Sequence, residues 1–157
     1  MVVLVPMNQE DYHHYLQQTV GEYAKEKVRA GAWKESEALK LSEETFARLL
    51  PKGLETLEMF LYRIEDVERR EKIGYYWLYE MESPVGKALF IYDFLIFEPY
   101  QGQGFGKQAM AALDEKAREL GATQISLHVF GHNIRAFRLY EKSGYVITDY
   151  QMSKRLD

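Results

Sequence analysis

The residues best suited to chemistry lie in EPYQGQGFGKQAM, 98–110, where Gly102, Gly104 and Gly106 fall close together. They separate an apolar run, LFIYDFLIF (89–97), from a segment with helical spacing. Bare backbone at a strand-to-helix junction suits an anion, because the first turn of a helix carries unpaired N–H groups and the positive end of its dipole. Glycine lets the chain approach that anion closely and accept positive φ. Spacing excludes two phosphate motifs. A Walker loop ending at Lys107 needs glycine at 101 and Ser or Thr at 108, where Gln101 and Gln108 stand. The dinucleotide fingerprint G-x-G-x-x-G is replaced by G-x-G-x-G.

The spacing that fits is Gln/Arg-x-x-Gly-x-Gly/Ala, met by Gln101, Gly104 and Gly106. Downstream, LHVFGHNIRAFRLYEKSGY (127–145) sets a strand before Asn133, then Ala136, Tyr140, Gly144 and Tyr145. Together these resemble the two signatures of the GCN5-related N-acetyltransferases (GNAT), in the family's order and on its elements. The resemblance is specific from about 87 to 156; the segments before it match the family in arrangement only.

The resemblance implies acetyl-CoA as cosubstrate, held in a wedge between two splayed parallel strands, here 88–97 and 124–130. It implies that the backbone of Phe94, Leu95 and Ile96 pairs with the pantetheine arm like an added strand. The pyrophosphate falls to the loop Gln101, Gly102, Gln103, Gly104, Phe105, Gly106 and Lys107. Asn133 either touches the pantetheine or orders its loop, or simply caps a helix. Tyr140 is the implied general acid, protonating the thiolate that leaves when an amine attacks the thioester. The base stays open. Asp93 sits on an apolar strand, where a buried carboxylate is costly unless paired; it is either functional or a structural hydrogen-bonding group. His128 occupies a position where some members carry a catalytic Glu, and imidazole titrates in a range suited to a base. Glu98, at the mouth of the loop, is a third candidate. The implied activity is N-acetyl transfer to a primary amine of a small molecule, peptide or protein. The rival readings are a module that senses acyl-CoA without transfer and an enzyme for longer acyl chains.

These residues need positioning. Residues 2–5 read as a strand ended by Pro6. Asn8 caps a helix from about 9 to 30, and a second helix runs from about 34 to 50, with a second cap near Ser42 able to split it. TLEMFLYRI (56–64), IGYYWLYEM (73–81) and the run ending at Phe97 form an antiparallel meander joined by EDVERREK (65–72) and ESPVGK (82–87). The third strand is apolar on both faces, with Phe90, Phe94 and Ile96 on one and Leu89, Ile91, Leu95 and Phe97 on the other, so it belongs in the middle of the sheet. A helix over 105–120, a strand over 124–130, a short helix from Asn133 to about 143 and a strand over 145–156 complete the chain. The fold class is α+β: one N-acetyltransferase-like domain over 1–157, with a central mixed, mostly antiparallel sheet flanked by helices. The last strand can also pair across a homodimer, as happens in this family.

Composition narrows the partners. At 157 residues, 46% apolar and with twelve Tyr, the chain can bury a real core. A net charge of −4 argues against a nucleic-acid partner. The absence of cysteine removes disulfides and thiolate metal sites. His13-His14 and His128-x-x-x-His132 have no carboxylate at ligand spacing, so no metal is expected, nor does the family need one. MVVLVPMNQEDY carries no basic leader and its apolar run is too short for a membrane span, which gives a cytoplasmic expectation.

Overall fold

Asn8 starts the first helix as its sequence suggests. Its side chain accepts a hydrogen bond from the Asp11 N–H at 2.8 Å, and the Asp11 carboxylate accepts one in return from the Asn8 N–H at 3.1 Å. That capping box opens α1 (Gln9–Arg29), which follows β1 (Val2–Pro6) in the computed structural model, whose described residues are 1–156. α2 (Glu35–Leu49) is one uninterrupted helix rather than two pieces. Ser42 does not cap within it; its hydroxyl donates to the Val20 carbonyl at 2.7 Å and ties α2 to α1.

The meander is β2 (Met59–Asp66), β3 (Glu71–Ser83) and β4 (Gly86–Ile96), followed by α3 (Phe105–Glu119), β5 (Gln124–Leu127) and α4 (Ile134–Lys142). The charged turn between β2 and β3 is shorter than 65–72, because both strands extend into it. Strand order is β1-β2-β3-β4-β5, antiparallel except for the parallel pair β4–β5. Two apolar layers cover the sheet. On one side Ile64, Ile73, Tyr76, Leu78 and Leu89 pack against Phe105, Ala109, Met110 and Leu113 of α3. On the other, Leu61, Tyr75 and Trp77 pack against Tyr15 of α1 and Phe46 of α2. Gly74 is where the sheet is tightest: a Cβ there would lie 2.0 Å from the Leu95 carbonyl oxygen, so only glycine fits.

Three expectations change. Alternation along the third strand breaks at Tyr92, because Trp77 pairs with Asp93 while Leu78 pairs with Ile91, leaving Tyr92 as a bulge. Leu89 and Ile91 therefore share the α3 side with Phe94 and Ile96, contrary to strict parity. The strand expected over 124–130 ends at Leu127, since β4 offers no partner beyond the bulge. The segment 145–156 forms no strand: it finds no neighbour to complete a ladder, and Val146, Tyr150, Met152 and Leu156 stand exposed. No helix among the described residues is long and apolar enough to cross a membrane.

Asp11 does more than cap. It is 1% exposed and pairs with Arg63 at 3.0 Å and with Lys72, fastening the start of α1 to β2 and β3. Burial pushes its pKa up, but the Lys72, Asn8 and Arg63 hydrogen bonds outweigh this and hold it below the ordinary value. A depressed folded pKa stabilises above the unfolded value and loses that contribution as pH falls through the folded one. Asp11→Asn is therefore expected to cost about 2–3 kcal/mol near neutral pH. Chemical denaturation should show the gap to the parent narrowing as pH falls below the ordinary carboxylate range.

Candidate active site

The bulge that breaks the alternation also opens the molecule. β4 and β5 pair only from Ala88–Gln124 to Ile91–Leu127, and the chains then diverge. The resulting cleft, about 510 Å³, is lined by Tyr92 to Leu95 on one side and Leu127 to Phe130 on the other. Asn133, Ala136 and Tyr140 of the α4 region close one end, and Thr19, Glu22, Tyr23 and Glu26 of α1 form a further wall. Phe94, Leu95, Asp93, His128, Asn133 and Tyr140 are thus brought to one cavity. Ile96 is buried in the core below it.

Asp93 faces α1, on the side of its cross-strand partner Trp77. The Tyr15 hydroxyl donates to Asp93 Oδ2 at 2.7 Å. Burial raises the Asp93 pKa, while the hydrogen bonds from Tyr15 and the Phe94 N–H work against that rise. Tyr140 packs edge-on against Tyr145, with ring centroids 5.8 Å apart. Burial, assisted by the negative charge of Asp93, pushes its phenol up to about 12. Tyr140 therefore holds its proton at neutral pH.

His128 is exposed at the cleft mouth, its ring against the edge of Phe130 at 5.2 Å. Phe130 stacks on His132, which pairs with Glu26 and brings the chain after β5 against α1. His14 contacts the Tyr75 hydroxyl at 3.2 Å. Glu98 begins a short 3-10 turn, exposed and outside the cleft lining. Asn133 caps α4, accepting from the Ala136 N–H at 3.2 Å.

The glycine loop lies where β4 hands over to α3. Gly102 and Gly104 have φ of +75° and +84°, and a Cβ on either would meet nothing within 4 Å, so left-handed backbone is what requires them. Gly106 serves packing instead: its Cβ would come 3.2 Å from Leu139 of α4. Phe105 points its ring into the core and offers only its amide outward, whereas Lys107 is exposed. Two glutamines brace the loop. Gln101 donates to the Ile96 carbonyl at 2.8 Å and accepts from Arg135 at 3.0 Å; Gln103 donates to the Pro99 carbonyl at 2.9 Å and accepts from Arg69 at 3.3 Å. The loop thus presents first-turn N–H groups between two guanidinium groups, an arrangement that favours an anion.

Sequence reasoning did not single out the residues of the α1 wall. Tyr15, Thr19, Glu22 and Glu26 recur at helical spacing, but an amphipathic stripe with Tyr in it reads as core. Nothing in the sequence marks Tyr15 as the partner of a residue 78 positions away.

Residues 22–145 match the Acetyltransferase (GNAT) family. Over 156 residues the chain is 46% identical to the uncharacterized N-acetyltransferase YycN of Bacillus subtilis, covering 99% of each. A crystal structure of that protein superposes with a TM-score of 0.94 at 45% identity, again over 99% of each chain. The spermine/spermidine N(1)-acetyltransferase of Bacillus subtilis is 34% identical over 86 residues, 54% of this chain and 56% of that one. The structure of AAC(6')-Iy in complex with the bisubstrate analogue CoA-S-monomethyl-acetylneamine shares the fold with a TM-score of 0.61 at 13% identity, covering 100% of this chain and 99% of that one.

The charge on Asp93 has a measurable consequence. Asp93→Asn should bring the Tyr140 phenol part of the way down from about 12, burial still holding it above its ordinary value, read from ring-carbon NMR with Tyr140→Phe identifying the resonance. A midpoint that stays put would separate the two side chains electrostatically.

Proposed function

The chain belongs to the GNAT family of acetyltransferases, and on that premise we propose that it moves an acetyl group from acetyl-CoA to a primary amine by direct attack, with Tyr140 as general acid. The observation carrying this reading is that Tyr140 and Asp93 line one cleft between diverging parallel strands, while the glycine loop packs against α4, the helix that carries Tyr140. The backbone freed beyond the bulge, Phe94 to Ile96, is the stretch available to a pantetheine arm. Arg69 and Arg135 support the phosphates from either side of the loop.

The residues divide the proton work. An alkyl ammonium must lose a proton before its nitrogen can attack. Asp93 takes it, being the carboxylate within electrostatic reach of Tyr140; His128, at the mouth, is placed less well. The nitrogen lone pair forms the C–N bond, the C–S bond breaks, and the sulfur takes the Tyr140 proton. The proton on Asp93 then restores Tyr140, directly or through water, so the two groups return to their starting states. Aromatic side chains of Tyr23, Phe46, Trp77 and Tyr92 with Glu22 and Glu26 suit an acceptor combining an alkyl stem with positive charge. The polyamine acetyltransferase among the relatives is consistent with that class.

Calorimetric titration with acetyl-CoA should give binding that Gly104→Glu abolishes while circular dichroism stays native. No binding by the folded parent sinks the reading. Tyr140→Phe should lower kcat by about 10²–10³-fold with little change in KM for acetyl-CoA. Binding without transfer to any amine would instead favour a sensor, and faster turnover of longer acyl-CoA would reassign the donor.

We also infer that two copies pair through residues 145–156. Val146, Tyr150, Met152 and Leu156 share one parity, as in a strand with a single apolar face, yet all are at least 78% exposed. Among the described residues the outer edge of β5 has no neighbour, so a second copy's segment can complete both surfaces at once. The segment leaves the body at Tyr145, against the Tyr140 ring. Light scattering behind a sizing column should find a dimer for the full chain and a monomer for one stopped after Tyr145; a monomeric full chain overturns the pairing.

A further inference from the structure

Tyr15 is the polar group that the chemistry described above leaves unused. It is fully buried, at 0% exposure, although a phenylalanine would fill the same space between α1 and the sheet. Its ring is set edge-on against Tyr75 at 5.4 Å, which fixes where the hydroxyl points. That direction is Asp93 Oδ2, 2.7 Å away. The next hydroxyl along the helix, Thr19 Oγ1, is buried and approaches the Tyr15 oxygen without closing a hydrogen bond to it. Two further constraints hold the contact in place. The bulge at Tyr92 turns Asp93 toward α1, and the Asp11 ion pairs pin α1 one turn before Tyr15.

We propose that Tyr15 is a positioning residue: its donated hydrogen bond favours the charged form of the Asp93 carboxylate against the pull of burial and orients its other oxygen in the cleft. The role in catalysis rests on the reading that Asp93 receives the amine proton. The physical need is plain. A carboxylate in an apolar strand tends to take up a proton and become neutral, and a neutral acid can neither accept a proton nor attract an ammonium. A donor aimed at the charged form opposes this, and a rigid donor also fixes the rotamer. Tyr15 donates and accepts no proton overall; it acts through Asp93. The other titratable groups lining the cavity around the carboxylate are Tyr140 from α4, His128 beyond β5, Tyr92 beside it on β4, and Glu22, Tyr23, Glu26 and Lys27 further along α1. The facing residue of β3 is Trp77, which does not titrate.

The test is carboxyl-carbon NMR on the full chain, with Asp93→Asn identifying the resonance. In Tyr15→Phe the Asp93 midpoint should move up by about one pH unit. Tyr75→Phe, which removes a neighbouring hydroxyl not bonded to Asp93, should leave it unmoved. Should Tyr15→Phe not fold, 3-fluorotyrosine at position 15 keeps the shape and strengthens the donor, so the midpoint should move down. A midpoint indifferent to either change at position 15 overturns the proposal. Thiol release from acetyl-CoA with butylamine or putrescine provides the kinetic arm. There Tyr15→Phe should lower kcat/KM for the amine at least about tenfold and carry the acid limb of the profile upward with the Asp93 midpoint, leaving KM for acetyl-CoA unchanged. An unmoved limb overturns the catalytic role. If the parent acetylates no amine, the transfer reading falls, while the titration still decides whether Tyr15 governs Asp93.

Discussion

Two parallel strands part only where their ladder is broken, and the break here is a single residue. Tyr92 adds one position to β4 that β3 does not match, and the last β4–β5 pair lies immediately before it. A bulge bends its strand and increases local twist, so the two chains cannot continue side by side. Three things follow from that one extra residue. The backbone of Phe94 to Ile96 loses its neighbour on the β5 side, a cavity opens, and Asp93 turns onto the face occupied by α1 rather than the face occupied by α3.

The walls around the cavity are held by polar contacts of long sequence range. Asp11 is buried among cations from β2 and β3, Ser42 donates across to α1, and His132 reaches Glu26. Each fixes a helix or loop relative to the sheet, where apolar packing alone would tolerate sliding. Asp93 stands at the junction of this framework and the cleft. One hydrogen bond ties it to α1, and its charge is felt by Tyr140 on α4. Two tyrosines thus meet one carboxylate in different ways: Tyr15 donates to it, and on Tyr140 its charge adds to the rise that burial causes.

Much of this was legible in the residues, for identifiable reasons. The helix caps, the meander and the glycine loop depend on local chemistry: Asn8 and Asn133 accept from N–H groups three residues on, and Gly102 and Gly104 take positive φ. The bulge was not legible, since LFIYDFLIF is apolar at every position but Asp93 and Tyr92, and a fully apolar strand carries no parity to betray a slip. Tyr15 was hidden for a related reason: in a helical stripe, a tyrosine that packs and one that also donates look alike. Residues 145–156 read as a strand because their alternation is real, but a strand also needs a partner, which no single chain's pattern records. Gly106 also makes room for Leu139, which its loop pattern does not reveal, because the contact joins positions 33 residues apart.

The openness around Gly102 and Gly104 bears on how natural variants of this chain should be interpreted. With nothing within 4 Å of either would-be Cβ, alanine meets no clash and strains only the backbone torsion, at about 1–2 kcal/mol. A lesion there would pass most screens for folding, solubility or protease resistance, and on the proposed role of the loop would surface only when acetyl-CoA is offered. Gly74 is the opposite case: a methyl group driven to 2.0 Å from the Leu95 carbonyl oxygen damages the sheet itself and would be caught by any of those screens. Damage to the scaffold and damage to the glycine loop therefore leave different experimental traces in one small protein.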